Sequence, residues 1–213
     1  TYDEHKDLFR DHQSEGVQEL TAALLHYAHQ RINLDFQSCQ RSLAGHDRAE
    51  QGRYRLRVGP FYSEVIDPSP EWLLREVYYG ARIKYEQGEY ADFMGRIFRF
   101  QEGCLRYLAI KLGTQFTNIQ GKRLDVEWVS SNHELTAKLK EKEVNPEEKD
   151  VDRSILQTVV KLLAKQQSNS QIEAARKELL RIDPLANLRN STQIAHGYAG
   201  LSRQVLADYF ALS

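Results

Sequence analysis

An arginine with a neighbouring amide precedes a histidine by seven residues near the end of the chain, in the segment Leu188-Arg189-Asn190-Ser191-Thr192-Gln193-Ile194-Ala195-His196-Gly197. In a helix, seven residues rotate to about 20° short of two full turns, so Arg189 and His196 lie on one face. That face offers a fixed cation, an amide and a side chain that titrates near neutral pH. Together these groups suit an attack on a phosphodiester.

The spacing alone does not identify this chemistry, because Arg41 and His46 are comparably spaced. The local sequence separates the two cases. Gly45 lets the chain turn just before His46, which scatters the first pair of side chains. Asp183-Pro184, in contrast, predicts a helix that begins at Pro184. The inward stripe and the C-terminal glycine of that helix are Leu185, Leu188, Thr192, Ala195 and Gly197.

The elements that must position this segment are mostly helical. Apolar residues at three- and four-residue steps predict helices over about 14–43, 70–87 and 90–112, with the last two as a central hairpin of the core. Further helices resume after residue 153. Residues 116–119 and 124–128 flank a turn and predict a small hairpin, and the charged run 138–152 predicts a solvated excursion. We expect one mainly α domain over 1–213, a helical bundle with a small β or irregular insertion at 113–152.

Composition bounds the function classes. Hydrophobic residues make up 41% and charged residues 28%, which is typical of a globular protein, and the net charge of -1 neither indicates nor excludes a nucleic-acid partner. Cys39 and Cys104 lack a CxxC partner, so we expect free thiols and a cytoplasmic protein. The sequence contains no run of eighteen apolar residues, so we expect no membrane partner. The chain begins at Thr1 and its only methionine is Met94, so we expect a fragment of a longer chain.

The Leu-Arg-Asn segment followed by His-Gly resembles the signature of HEPN-domain ribonucleases, in which an arginine, a polar neighbour and a later histidine form the active site. Residues 81–102 are similar to the helical hairpin of HEPN domains in the ancillary ribonucleases of type III CRISPR systems. The resemblance covers roughly 70–112 and 153–213. Residues 1–66 and 113–152 match no pattern of that family.

The resemblance implies a metal-independent endoribonuclease that cleaves single-stranded RNA and uses no cofactor. The RNA 2′-hydroxyl would attack its own 3′-phosphate. His196 would transfer protons, as acid or as base, Arg189 would stabilise the phosphorane, and Asn190 would orient phosphate or imidazole. Seven helical residues span roughly 10.5 Å, which is wide for one phosphate. Both this span and the resemblance indicate a composite site in a homodimer.

Three more residues are candidates for supporting this site or contacting RNA: Arg99, Glu102 and Gln193. For Arg99 and Glu102 the alternative is an intrahelical ion pair on a solvated face. The resemblance also implies antiviral CRISPR defence and an upstream ligand-sensing domain that responds to a cyclic oligoadenylate. The alternative function is a non-catalytic helical module for dimerisation or nucleic-acid binding.

Overall fold

A computed structural model describes residues 15–33, 35–44, 69–117 and 122–185, together with 188, 202, 204 and 206. The chain divides into two compact units, Thr1–Gly80 (unit 1) and Ala81–Ser213 (unit 2), and each is described by itself. The described residues are mostly helical and include no strand, so the predicted mainly α class is confirmed. The assignment of one domain to 1–213 stays a prediction.

Eight helices are assigned in the described part of the chain. In chain order they are α1 Glu15–Ile32, α2 Phe36–Ala44, α3 Pro70–Glu86, α4 Tyr90–Lys111, α5 Val126–Ser130, α6 His133–Glu141, α7 Arg153–Gln166 and α8 Ser170–Leu180.

The prediction of one helix over 14–43 is wrong, because the helix is interrupted between α1 and α2. The Asp35 N–H donates to the Gln30 carbonyl at 2.9 Å, a bond that lies outside the α-helical pattern. The Asp35 carboxylate then accepts from the Ser38 N–H at 3.1 Å and caps α2. A residue that favours an N-cap therefore divides an otherwise continuous apolar pattern.

Helices α3 and α4 begin and end within one residue of the predicted bounds. The Ser69 hydroxyl accepts from the Trp72 N–H at 3.1 Å, which is the N-cap that Ser69-Pro70 predicts. Gly88 and Gly113 follow the two helices with φ of +75° and +87°, values in the left-handed region that favours glycine.

The predicted hairpin at 116–119 and 124–128 reduces to one antiparallel bridge between Phe116 and Leu124. The chain turns into α5 because the Asp125 carboxylate accepts from the Trp128 N–H at 2.8 Å. The strand predicted over 124–128 is therefore wrong. The charged run 138–152 is not wholly solvated, since Val144 near its middle and Val151 near its end are buried.

Unit 2 has two apolar clusters, and α4 contributes to both. In the larger one, α7 packs against α4, α6 and α8, and its Leu156, Val159 and Val160 are fully buried. The second cluster joins Phe93 and Met94 of α4 to Ala81, Leu185, Leu188 and Leu206. The α3–α4 hairpin is thus not the centre of the larger cluster, because α7 supplies more of the buried residues in that cluster than any other helix.

Candidate functional site

The predicted catalytic residues Arg189, Asn190 and His196, and the supporting residue Gln193, lie outside the described residues. The chain that leads to them is described. Residues 183–185 are helical, so the helix begins one residue before the predicted start. The buried side chains of Leu185 and Leu188 agree with the predicted inward stripe.

Leu188 and Leu206, the described residues on either side of 189–205, lie in the same apolar cluster, and 189–205 contains the predicted catalytic residues. Leu188, directly before Arg189, is 7% exposed, and Leu206 is fully buried. Both pack in the cluster that includes Phe93 and Met94 of α4. Burying a leucine side chain contributes about 1.5–3 kcal/mol, so Leu188 and Leu206 are each held in this cluster.

A polar cluster surrounds Asp183, five residues before Leu188. This Asp183 cluster consists of Gln101 of α4, Arg153 and Gln157 of α7, and Asp183 itself. Asp183 Oδ1 accepts from Gln101 Nε2 at 2.6 Å and from Arg153 Nη1 at 2.8 Å. Gln157 Nε2 lies 3.2 Å from both carboxylate oxygens. Three side chains on two helices thus hold the start of the helix that begins at Asp183.

Gln101 connects the Asp183 cluster to the end of α8. Its side chain is fully buried, and Nε2 also donates to the Leu179 carbonyl at 2.7 Å. Its Oε1 accepts from Arg153 Nη1 at 2.9 Å. This bonding fixes the orientation of the amide, because the reverse orientation would place oxygen against a carbonyl and a carboxylate. The last turn of α8 gains a side-chain donor in this way.

Charge in the Asp183 cluster is balanced by one arginine and one carboxylate. The side chains of Arg153 and Asp183 are 23% and 35% exposed, so water still reaches both. The Arg153 guanidinium also lies 5.1 Å from the Phe98 ring centroid, a cation–π distance. The arrangement positions the chain and offers no nucleophile. Its chemical contribution is to orient the helix that begins at Asp183.

Arg99 and Glu102 lie one turn apart on α4 with 3.8 Å between Nη1 and Oε2. Glu102 also lies 3.6 Å from Nη2 of Arg106. The intrahelical pair that was the alternative for these residues is therefore present. The Arg99 side chain is 77% exposed, and at such exposure an ion pair contributes little. A contact of Arg99 or Glu102 with RNA stays a prediction.

The sequence analysis missed Gln101, Arg153 and Gln157, although each leaves a signal. Gln101 is the third of five residues that recur at every fourth position of α4, and a polar residue in such an apolar series needs a buried partner. The five are Phe93, Ile97, Gln101, Leu105 and Ala109. Arg153 and Gln157 are four residues apart and share a face of α7. Their common partner Asp183 could not be identified, because it lies 82 residues from Gln101.

Within the described ranges, no three His, Cys, Asp or Glu side chains are arranged to hold a metal ion. No helix among the described residues is long and apolar enough to cross a membrane. Cys39 and Cys104 are free thiols, and burial raises the pKa of each to about 11. Such thiols are poor nucleophiles at neutral pH.

Comparisons with known proteins add no family. No protein-family model matches the chain, and neither the curated proteins nor the solved structures include a significant match. The residues and their geometry therefore carry the functional argument.

Proposed function

We propose that this protein is a metal-independent endoribonuclease that cleaves single-stranded RNA at a composite site in a homodimer. The RNA 2′-hydroxyl attacks the adjacent phosphate, His196 transfers protons, and Arg189 stabilises the charge on the phosphorane. Asn190 orients phosphate or imidazole. A role in antiviral CRISPR defence in the cytoplasm, with activation through a cyclic oligoadenylate-sensing domain, is proposed on the family resemblance alone.

The observation that carries the proposal is the packing of the described residues that precede and follow 189–205. Leu188 and Leu206 bracket it on one apolar cluster, and the Asp183 cluster holds the chain five residues before Leu188. Catalytic groups need supports that fix them to a fraction of an ångström. Both polar and apolar contacts hold the described residues that lead into the predicted catalytic segment, and this is the kind of support that catalytic groups need.

The test is cleavage of a labelled single-stranded RNA in excess EDTA. We expect cleavage by the unaltered protein and a loss of about 100-fold or more in His196→Ala, since positioned acid–base groups contribute about 10²–10⁴ in rate. Arg189→Ala should lose a comparable factor. The matched controls are His133→Ala, at an exposed position of α6, and Arg181→Ala, whose side chain is 79% exposed.

The product ends and the mass in solution complete the test. Attack by the 2′-hydroxyl leaves a 2′,3′-cyclic phosphate, whereas a 3′-hydroxyl end would contradict the proposed nucleophile. Light scattering should give a dimer at micromolar concentration, and a monomer that still cleaves would overturn the composite site. Cleavage that is equal in His196→Ala and the unaltered protein would favour the non-catalytic helical module instead.

A further inference from the structure

A groove with a volume of about 540 Å³ opens between α6, α7 and α8. Five basic side chains line it: Lys138, Lys142, Lys161, Lys165 and Arg176. The acidic side chains in its lining are Glu134 and Glu141. Cations therefore outnumber carboxylates in this groove, although the chain as a whole has a net charge of -1.

Two of the five cations are neutralised by neighbouring carboxylates. Lys138 Nζ lies 2.7 Å from Glu141 Oε2. Arg176 binds both carboxylate oxygens of Glu173, at 2.7 and 2.8 Å, and is 7% exposed. These pairs leave the groove's anion affinity to the other lysines.

Of the three remaining cations, Lys142 donates to the Ser154 hydroxyl at 3.2 Å, which leaves Lys161 and Lys165 as the two that we consider for a ligand. They lie four residues apart on α7, so they share a face about 6 Å apart along the axis. Both residues are exposed, and among the described residues no carboxylate is within ion-pairing distance of either ammonium. Because both lysines are exposed on one face of α7, an anion can approach the two ammonium groups from solvent at once.

The basic surface continues past these two lysines. A second concavity of about 350 Å³ is also lined by Lys161 and Lys165. It extends to Asn169 and Ser170 at the start of α8 and to Glu173, whose carboxylate is bound by Arg176. The N-terminal end of a helix carries partial positive charge. Lys161 and Lys165 thus lie where two concave surfaces meet, on a track longer than a single small anion requires.

One end of the groove reaches the Asp183 cluster. Gln157 lines the groove and also donates to the Asp183 carboxylate. The track therefore leads towards Asp183, which precedes the predicted catalytic residues in the chain. None of the described residues that line either concavity is aromatic, so the surface offers charge without a stacking platform for bases.

We propose that this track binds the phosphate backbone of single-stranded RNA, with Lys161 and Lys165 as its principal contacts. The proposal rests on the proposed function, and it assigns a substrate-binding surface outside the catalytic segment. A concave track suits a strand better than a flat membrane surface. Because phosphate contacts carry no sequence information, binding through these lysines is independent of base sequence.

The test measures binding of a fluorescein-labelled 2′-O-methyl oligoribonucleotide by anisotropy. This probe has no free 2′-hydroxyl, so its binding is measured whether or not the protein is a ribonuclease. We expect the double variant Lys161→Gln/Lys165→Gln to bind at least about tenfold more weakly. The slope of log K against log salt should fall by about 1.4, since each phosphate contact on a single strand contributes about 0.7.

The matched control is Lys140→Gln/Lys177→Gln, which removes the same charge from exposed positions of α6 and α8 outside both concavities. It should bind within about twofold of the unaltered protein. Equal losses in the two variants, or no loss in the groove variant, would overturn the proposal. So would loss of binding to phosphatidylserine vesicles with RNA binding unchanged.

The two proposals fail separately in these experiments. RNA cleavage that depends on His196, together with normal binding by the groove variant, removes the groove and leaves the ribonuclease. Weakened binding by the groove variant, together with no cleavage, keeps the groove as a nucleic-acid surface and removes the ribonuclease. Unfolding temperatures of both double variants should match the unaltered protein, because all four lysines are exposed.

Discussion

Each unit contains an arginine paired with a carboxylate, and the two pairs are built differently. In unit 1, Arg31 Nε and Nη2 donate to the two oxygens of Glu76 at 2.5 and 2.6 Å. This pair is bidentate, and Arg31 Nη1 also donates to the Tyr27 hydroxyl at 3.2 Å. In unit 2, Arg153 uses Nη1 for both Gln101 and Asp183, and Asp183 divides its acceptor capacity among three donors.

The surroundings of the two arginines reinforce this difference. Arg31 is placed 5.5 Å from the Trp72 ring centroid and 5.9 Å from that of Tyr27, and the Glu76 side chain is 9% exposed. The hydrogen bond that Arg31 donates to Glu76 is the main reason that the pKa of Arg31 is raised. The Asp183 side chain is 35% exposed. We call the Arg31–Glu76 pair closed, because each group is the charged partner of the other, and this pair connects α1 to α3. In the Asp183 cluster the carboxylate has three donors, so it can lose one and keep the others.

The largest predicted effect breaks the closed pair. Glu76→Ala leaves the Arg31 guanidinium without its partner in a mostly buried site, which should lower the free energy of unfolding by about 3 kcal/mol. Denaturant titration followed by circular dichroism measures it. The double variant Arg31→Met/Glu76→Leu should recover much of the loss, because an apolar pair needs no charge compensation. A loss below about 1 kcal/mol in Glu76→Ala would show that the pair is not closed.

A smaller effect on stability, with a larger one on activity, should follow from opening the Asp183 cluster. Gln101→Leu removes the donor to Leu179 and Asp183 and should cost about 2 kcal/mol, within the range for an unsatisfied buried group. We also expect slower RNA cleavage, because Asp183, at the start of the helix before the predicted catalytic residues, loses a hydrogen-bond donor. Cleavage by the folded fraction at saturating RNA is the measurement.

Glu76→Ala is the control for that experiment, because it costs more stability in unit 1. If it slows cleavage per folded molecule as much as Gln101→Leu does, then stability alone accounts for both. Asp183→Asn, which keeps an acceptor oxygen, should fall between Gln101→Leu and the unaltered protein.

Local signals in the sequence were sufficient for most helix bounds. Ser69 and Asp152 accept from the N–H three residues on, as N-caps do, and α3, α4 and α7 follow the apolar period. The failures at 33–35 and 124–128 have one cause. Asp35 and Asp125 cap a new helix where the apolar pattern alone predicts continuity or a strand.

The candidate site divides in the same way. The motif could be named from residue types and spacing, since Arg189 and His196 are neighbours in sequence. The residues that hold its start could not, because Arg153 and Gln101 are 52 residues apart and Asp183 is 82 residues from Gln101. Pairings over such distances depend on how α4, α7 and α8 pack, which periodicity does not specify.

The smallest predicted effect concerns a third pair, Glu173 and Arg176, within one helix. The hydrogen bond from Arg176 is the main reason that the pKa of Glu173 is lowered, so its folded value lies below the unfolded value of about 4.3. The stabilisation is therefore present above that unfolded value and is lost as pH falls through the folded one. We expect Glu173→Gln to cost up to about 1 kcal/mol at neutral pH, measured by denaturant titration, and the cost to shrink as the pH falls below the unfolded pKa of about 4.3.

Glu178→Gln is the matched control for this pair. Glu178 and Arg181 have the same three-residue spacing on α8 and the next residue, but their side chains are 71% and 79% exposed. Solvent screens such a pair, so Glu178→Gln should change stability little at either pH. A Glu173→Gln cost that stays constant with pH would mean that packing around Arg176, rather than its charge, determines the effect. The closed Arg31–Glu76 pair would then need the same separation of packing from charge, which its apolar double variant provides.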